Sequence, residues 1–172
     1  MTEPFRVDPW RFAGRFLAKA LGARIPDAPS VADVPFTPVT KPLAESRVAL
    51  LSTAGLSARG DRPFDMDLER ENHMRGDSSF RRLPADATAE TISANHLHID
   101  TSYIERDLNV ALPLDRLREL TRAGEVGSMA ATHYSIMGYQ GNDTNTLVEK
   151  TAPAIAEAMK SEEVDLALLA PV

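Results

Sequence analysis

Two short apolar runs, Arg47–Leu51 (RVALL) and Val164–Ala170 (VDLALLA), constrain the fold of this chain more than any other feature. Each has the length of a strand and lacks the polar alternation of a half-exposed one. Such runs read as strands covered on both faces, the habit of parallel sheets. RVALL leads into the small residues Ser52-Thr53-Ala54-Gly55, as a parallel strand does where it opens into a loop. Between the two runs lie helical patterns. Pro113 opens a helix through Ala123, with Leu114, Leu117 and Leu120 inward and Gly124 as its stop. Val126–Tyr134 reads as a further strand. Asn142–Thr146 offers caps for a helix to about Lys160, whose buried side carries Leu147, Val148, Thr151, Ala152, Ile155 and Met159. Pro153 should kink that helix or delay its start. Strand, helix, strand makes a βαβ unit, with a right-handed crossover expected. The expected architecture is an α/β fold, a three-layer sandwich around a mostly parallel sheet.

The ends and the middle read differently. Asp8-Pro9 starts a helix carrying Trp10, Ala13, Leu17 and Leu21 at helical spacing, and Gly22 stops it. Ile25–Glu45 holds Pro26, Pro29, Pro35, Pro38 and Pro42, a density that blocks helix and central strand alike. Residues 1–45 are therefore expected to form a helix and an extended proline-rich arm, and residues 46–172 the α/β domain. Leu56–Ala89 is polar and shows no period. Thr91–Asp100 (TISANHLHID) suggests a strand with Ile92, Ala94, His96, His98 and Asp100 on one face.

Composition removes several function classes. Net charge is -6 and the chain shows no basic stripe, which argues against nucleic-acid binding. With 0 cysteines, neither disulfides nor thiolate chemistry arises within these residues. No apolar run approaches the ~20 residues of a membrane span, and the polar start is unlike a secretory signal, so a cytoplasmic location is expected.

Three constellations carry candidate chemistry. His96, His98 and Asp100 at alternate positions would present two imidazoles and a carboxylate to one side. That set suits substrate orientation and proton transfer, because histidine titrates near neutrality. It equally suits Zn or Fe ligation, or a polar strand end bonded within the fold. Asp77, Ser78 and Ser79 with Arg81 form either a turn that offers hydroxyls and a guanidinium to a carboxylate, or a self-satisfied Asx turn. Asp107 and Asn109 precede a Pro-initiated helix, where they either cap it or reach the mouth of the sheet. Ser135 and Gly138 follow a strand, where backbone approaches a ligand closely.

Six segments in order resemble the glycine/sarcosine/betaine/D-proline reductase selenoprotein B family. They are Ser46–Gly55 (SRVALLSTAG), Arg62–Asp65 (RPFD), Gly76–Arg81 (GDSSFR), His96–Asp100 (HLHID), Asp107–Leu117 (DLNVALPLDRL) and Ser135–Gly138 (SIMG). The resemblance covers roughly Ser46–Val172. It implies an oxidoreductase whose redox residue, selenocysteine or cysteine, follows the strand resembling Val164–Val172 and so lies beyond this chain. A selenocysteine codon is also a stop codon, so translation that ignored it would end at Val172. The resemblance implies a selenolate or thiolate acting on a small amino-acid-like substrate. His96, His98 and Asp100 would then orient the substrate or move protons, and Asp77, Ser78, Ser79, Arg81, Asp107, Asn109 and Ser135 would line its pocket. This reading fails if the last strand lies at a solvent-facing margin remote from His96 and Asp107. A partner reductase subunit or a homo-oligomer is expected. Two other readings stand beside it: a metal-dependent hydrolase or lyase built on His96, His98 and Asp100, and a non-catalytic interaction subunit pairing through its last strand.

Overall fold

In a computed structural model the described residues are 37–72, 75–141 and 144–172. The expected helix after Pro9 and most of the proline-rich arm lie outside them. Among the described residues, seven strands and four α-helices follow a 3-10 turn at Leu43–Glu45: β1 (Arg47–Ser52), β2 (Leu56–Ala58), α1 (Met66–Glu71), β3 (Phe80–Pro84), β4 (Ile92–Ala94), α2 (Ser102–Arg106), α3 (Leu114–Arg122), β5 (Ser128–Met129), β6 (Thr132–Ile136), α4 (Ala152–Ser161) and β7 (Leu166–Ala170). Strand β1 is the spine. It pairs in parallel with β7 along one edge and with β5 and then β6 along the other, and β3 adds an antiparallel strand outside β6. β2 and β4 form a separate antiparallel ribbon. The sheet is therefore mostly parallel, as its sequence requires.

The two-residue period of β1 divides the core into two layers. Val48 and Leu50 pack with Ile104 of α2 and with Leu114 and Leu117 of α3. Ala49 turns the other way, onto Ile155 and Met159 of α4. Helices on both faces make the sheet interior dry, which is why RVALL carries no polar alternation.

One irregularity interrupts that spine. Four residues, Ala130–His133, lie opposite only Ala49 and Leu50, so the β5–β6 edge bulges away from β1. The Leu50 N–H facing the bulge donates instead to Nδ1 of His133 at 2.9 Å. Burial, reinforced by the positive charge of Arg118, pushes the His133 imidazole down to about 4.

The structure revises several expectations. Val126–Tyr134 is not one strand but β5 and β6 separated by this bulge. The polar stretch 56–89 holds β2, α1 and β3. The strand proposed for Thr91–Asp100 ends at Ala94, because its partner β2 is three residues long and supplies no further ladder. His96, His98 and Asp100 therefore do not share a strand face. Pro153 sits in the first turn of α4, and a π-helical turn at Leu147–Thr151 precedes it. Thr151, Ile155 and Met159 face inward there, whereas Val148 and Ala152 are exposed. Leu120 of α3 is exposed as well. β7 is not buried: it is a sheet margin, with Leu168 52 % and Leu169 64 % exposed.

Candidate functional site

The parallel strands β1, β6 and β7 end together. Past β7, the Val172 N–H donates to the Thr53 hydroxyl at 2.8 Å, and that hydroxyl lies 3.2 Å from the Val172 carbonyl. A methyl group placed on Gly138 would stand 3.1 Å from the Thr53 carbonyl and 3.3 Å from that of Val172. The ends of β1, β6 and β7 are thus held within a few ångströms of one another, at the edge of an open α/β sheet where ligands commonly bind.

From β1 the chain turns sharply at Gly55, with φ +63°. A Cβ there would fall 2.3 Å from the Asn95 carbonyl and 2.5 Å from Met137 Sδ, so only glycine fits. The Asn95 N–H and side-chain amide both donate to the Gly55 carbonyl, at 2.8 and 3.2 Å, and the amide also reaches Ser57 Oγ at 2.9 Å. This clamp sets the loop 96–100 beside the strand ends.

Within that loop His96 and His98 remain together although the strand is absent. The His98 backbone N–H donates to His96 Nδ1 at 3.0 Å, and the two rings meet edge to face at 5.9 Å. Burial, and then the neighbouring His98, push the His96 imidazole below its usual value. Nε2 of His98 meets Oε1 of Glu69, and its ring lies 5.6 Å from Tyr139, the residue after Gly138. Asp100 turns away: its carboxylate accepts the Ser102 N–H, at the start of α2, at 3.0 Å. The bonds to Ser102 carry the Asp100 carboxyl below the ordinary range. Among the described residues no group of three His, Asp or Glu side chains is placed to share a metal ion.

Asp77, Ser78, Ser79 and Arg81 form a second bonded group next to the first. Asp77 accepts from the Asp65 and Ser79 backbone N–H groups at 2.9 and 2.8 Å and from the Ser79 hydroxyl. Burial would raise its carboxyl, but these bonds, with Arg81 beside it, carry it below the ordinary range. Arg81 stacks 4.2 Å over Phe64 and donates to the carbonyls of Arg62 and Pro63. The Ser78 carbonyl accepts from the Thr151 hydroxyl at 2.5 Å. Gln140 ties this turn to the strand end, donating to Met137 O at 2.6 Å and Asp77 O at 3.5 Å. An open cleft of about 370 Å³ runs between Arg62, Phe64, Arg70 and Asn95.

Ser135 is wholly buried in β6, where its Oγ accepts the Leu56 N–H at 2.8 Å. Asp107 and Asn109 lie elsewhere, on a separate cleft of about 190 Å³ bounded also by Thr88 and Asp115. Asp107 accepts the Asn109 N–H at 2.9 Å, and Asn109 Oδ1 accepts the Asp115 N–H at 2.9 Å, so the pair fastens the start of α3. The end of β7 therefore comes beside the His96–His98 loop by way of Gly138 and Tyr139, and Asp107 stands on other ground.

The sequence reading missed Glu69, Asn95, Thr53 and Tyr139. Thr53 lay within the small-residue run after RVALL, the one available signal. Glu69 gave none, since its helix is short and polar.

Comparison with known proteins converges on one family. The family model described as glycine/sarcosine/betaine reductase selenoprotein B matches residues 25–171. The D-proline reductase subunit gamma of Acetoanaerobium sticklandii is 34% identical over 134 residues, which are 78% of this chain and 52% of that protein. The glycine reductase complex component B subunit gamma of Symbiobacterium thermophilum is 30% identical over 142 residues, 82% of this chain and 32% of that protein. The corresponding subunit of Carboxydothermus hydrogenoformans is 28% identical over 141 residues. The chain spans about half of the first of these relatives and about a third of the other two. No solved structure matches it.

Proposed function

Because the chain belongs to the glycine/sarcosine/betaine reductase selenoprotein B family, we propose that it supplies the substrate-side part of a reductase complex acting on a small amino-acid-like molecule. The family's named relatives are subunits of D-proline reductase and of a glycine reductase complex. One observation carries the reading. Five of the six segments that resemble the family, those containing Thr53, Phe64, Asp77, His98 and Gly138, assemble around one corner at the strand ends. Packing alone needs no such convergence of polar loops.

In this reading a selenolate or thiolate, borne by a residue following β7 in the whole protein, supplies the nucleophile. The chain's own residues bind and protonate. His96 and His98 face the substrate, while Asp77, Ser79 and Arg81 hold the wall formed by Arg62–Asp65. The cleft beside Phe64 and Asn95 provides the room. Arg62 on its rim suits the carboxylate of an amino acid or betaine, while Arg70 is paired with Asp67 at 2.8 Å. Asp107, Asn109 and Ser135 support the corner through the fold, Asp100 through α2.

The exposed margin at β7 favours a further element of the same reading, docking to another subunit. Leu168 and Leu169 leave an apolar strand edge that an isolated protein would ordinarily cover.

Sequencing the frame beyond codon 172, together with the mass of the native protein, tests the proposal. A selenocysteine or cysteine codon close after Val172 is the expected result. An ordinary stop with no continuing frame would leave the site without its nucleophile and remove the reading.

A further inference from the structure

Glu69 is the only Asp or Glu buried among the described residues, at 2 % exposure, yet it lies on the polar six-residue helix α1 (MDLERE). Local structure accounts for the helix. Asp65 caps it by accepting the Asp67 and Leu68 N–H groups, and the Asn72 N–H closes on the Leu68 carbonyl. The helix itself does not account for turning a carboxylate inward, because burying that charge is costly without a partner. The partner is His98, whose Nε2 meets Glu69 Oε1 while 57% of its side chain stays exposed. A buried carboxylate thus grips one nitrogen of an imidazole that remains open to solvent.

Among the described residues, the other rings facing this imidazole are those of His96 and Tyr139. His96 already accepts the His98 backbone N–H through Nδ1, so its own proton belongs on Nε2. Among the described residues, hydrogen bonds reach His98 through its backbone N–H and Nε2 and leave Nδ1 open.

We infer that Glu69 is a positioning residue that fixes His98 as the Nε2–H tautomer, making Nδ1 of His98 the proton-exchanging atom of the site and Nε2 of His96 its neutral hydrogen-bond donor. A carboxylate that accepts Nε2–H orients the ring and stabilises the imidazolium formed when Nδ1 gains a proton. For these residues the step is a proton transfer only. As the selenolate or thiolate forms its bond to the substrate carbon, the C–N bond breaks and its electron pair stays on nitrogen, to which the imidazolium gives its Nδ1 proton, returning to the neutral Nε2–H form. No electrons leave these residues. The inference rests on the reductase reading for the identity of the proton acceptor alone, since the tautomer stands without it.

Long-range proton–nitrogen correlation spectra of the ¹⁵N-labelled chain test the assignment directly, at a pH where the rings are neutral. His98 is expected with a protonated Nε2 and a bare Nδ1, and Glu69→Gln is expected to raise the share of the opposite tautomer. An Nδ1–H tautomer in the unmodified chain, or tautomer shares that Glu69→Gln leaves unchanged, would overturn the inference. If Glu69→Gln does not fold, the spectrum of the unmodified chain decides alone. In the assembled complex built from the full reading frame, Glu69→Gln should lower kcat about tenfold or more with KM little altered. A complex that is inactive even with the unmodified chain, alongside the expected tautomer, would count against the reductase reading and leave the role of Glu69 standing.

Discussion

The sheet interior around β1 and the polar corner at the strand ends each contain a histidine held by a hydrogen bond at one ring nitrogen, and they use it in opposite ways. In the interior, His133 is itself buried and spends Nδ1 on the Leu50 N–H, filling the gap left by a bulge. In the corner the carboxylate of Glu69 is buried and the ring of His98 is exposed, with one nitrogen uncommitted. The first arrangement removes a histidine from proton exchange. The second prepares one for it. Residue type alone does not distinguish them; what differs is which member of the pair the fold desolvates.

The comparison breaks first at the interior. Leu50→Ala, at a wholly buried position touching α3, should cost about 2–5 kcal/mol in urea unfolding. A loss under ~1 kcal/mol would mean that β1 is not the spine of the sheet. Next comes pH. His133 titrates near 6.5 when unfolded and at about 4 when folded, so between these values the unfolded chain binds the extra proton. Stability should therefore be fully present above pH 6.5 and fall as pH drops toward 4, by roughly 3 kcal/mol in total. Unfolding midpoints measured across this window in the native chain and in His133→Gln check it, the variant giving the flatter curve.

The corner should respond less. His98→Gln leaves the buried Glu69 carboxylate with a poorer partner and should cost about 1–3 kcal/mol, visible as a lower Tm. At the margin, Leu169→Ser should change the stability of the isolated chain by no more than about 0.5 kcal/mol, since that side chain is largely in solvent already. In an assembled complex the same change should weaken subunit association, which co-purification would read.

The parts legible in the sequence were those where one pattern governs packing. RVALL announced β1, and Pro113 to Gly124 announced α3 almost to the residue. What stayed hidden depended on neighbours distant in sequence. β3 (FRRLP) carries two arginines and is a strand because β6 offers it a ladder. The alternation in HLHID resembled a strand, but β2 is too short to extend the pairing past Ala94. β7 has the composition of a buried strand, yet β1 is its one partner among the described residues. The pairing of His96 with His98 was visible as spacing. Its carboxylate was misassigned to Asp100, because Glu69 joins the pair only through tertiary contact.

The central claim is that this corner is the working site of a reductase component. Reductant-dependent consumption of D-proline, glycine, sarcosine and betaine, measured in the complex assembled from the full reading frame, tests it most directly. The account predicts that at least one of these is consumed, and that His98→Gln slows its turnover about 10²–10⁴-fold without disturbing assembly. Consumption of none of them by an intact complex, or turnover by His98→Gln at the unmodified rate, would contradict it.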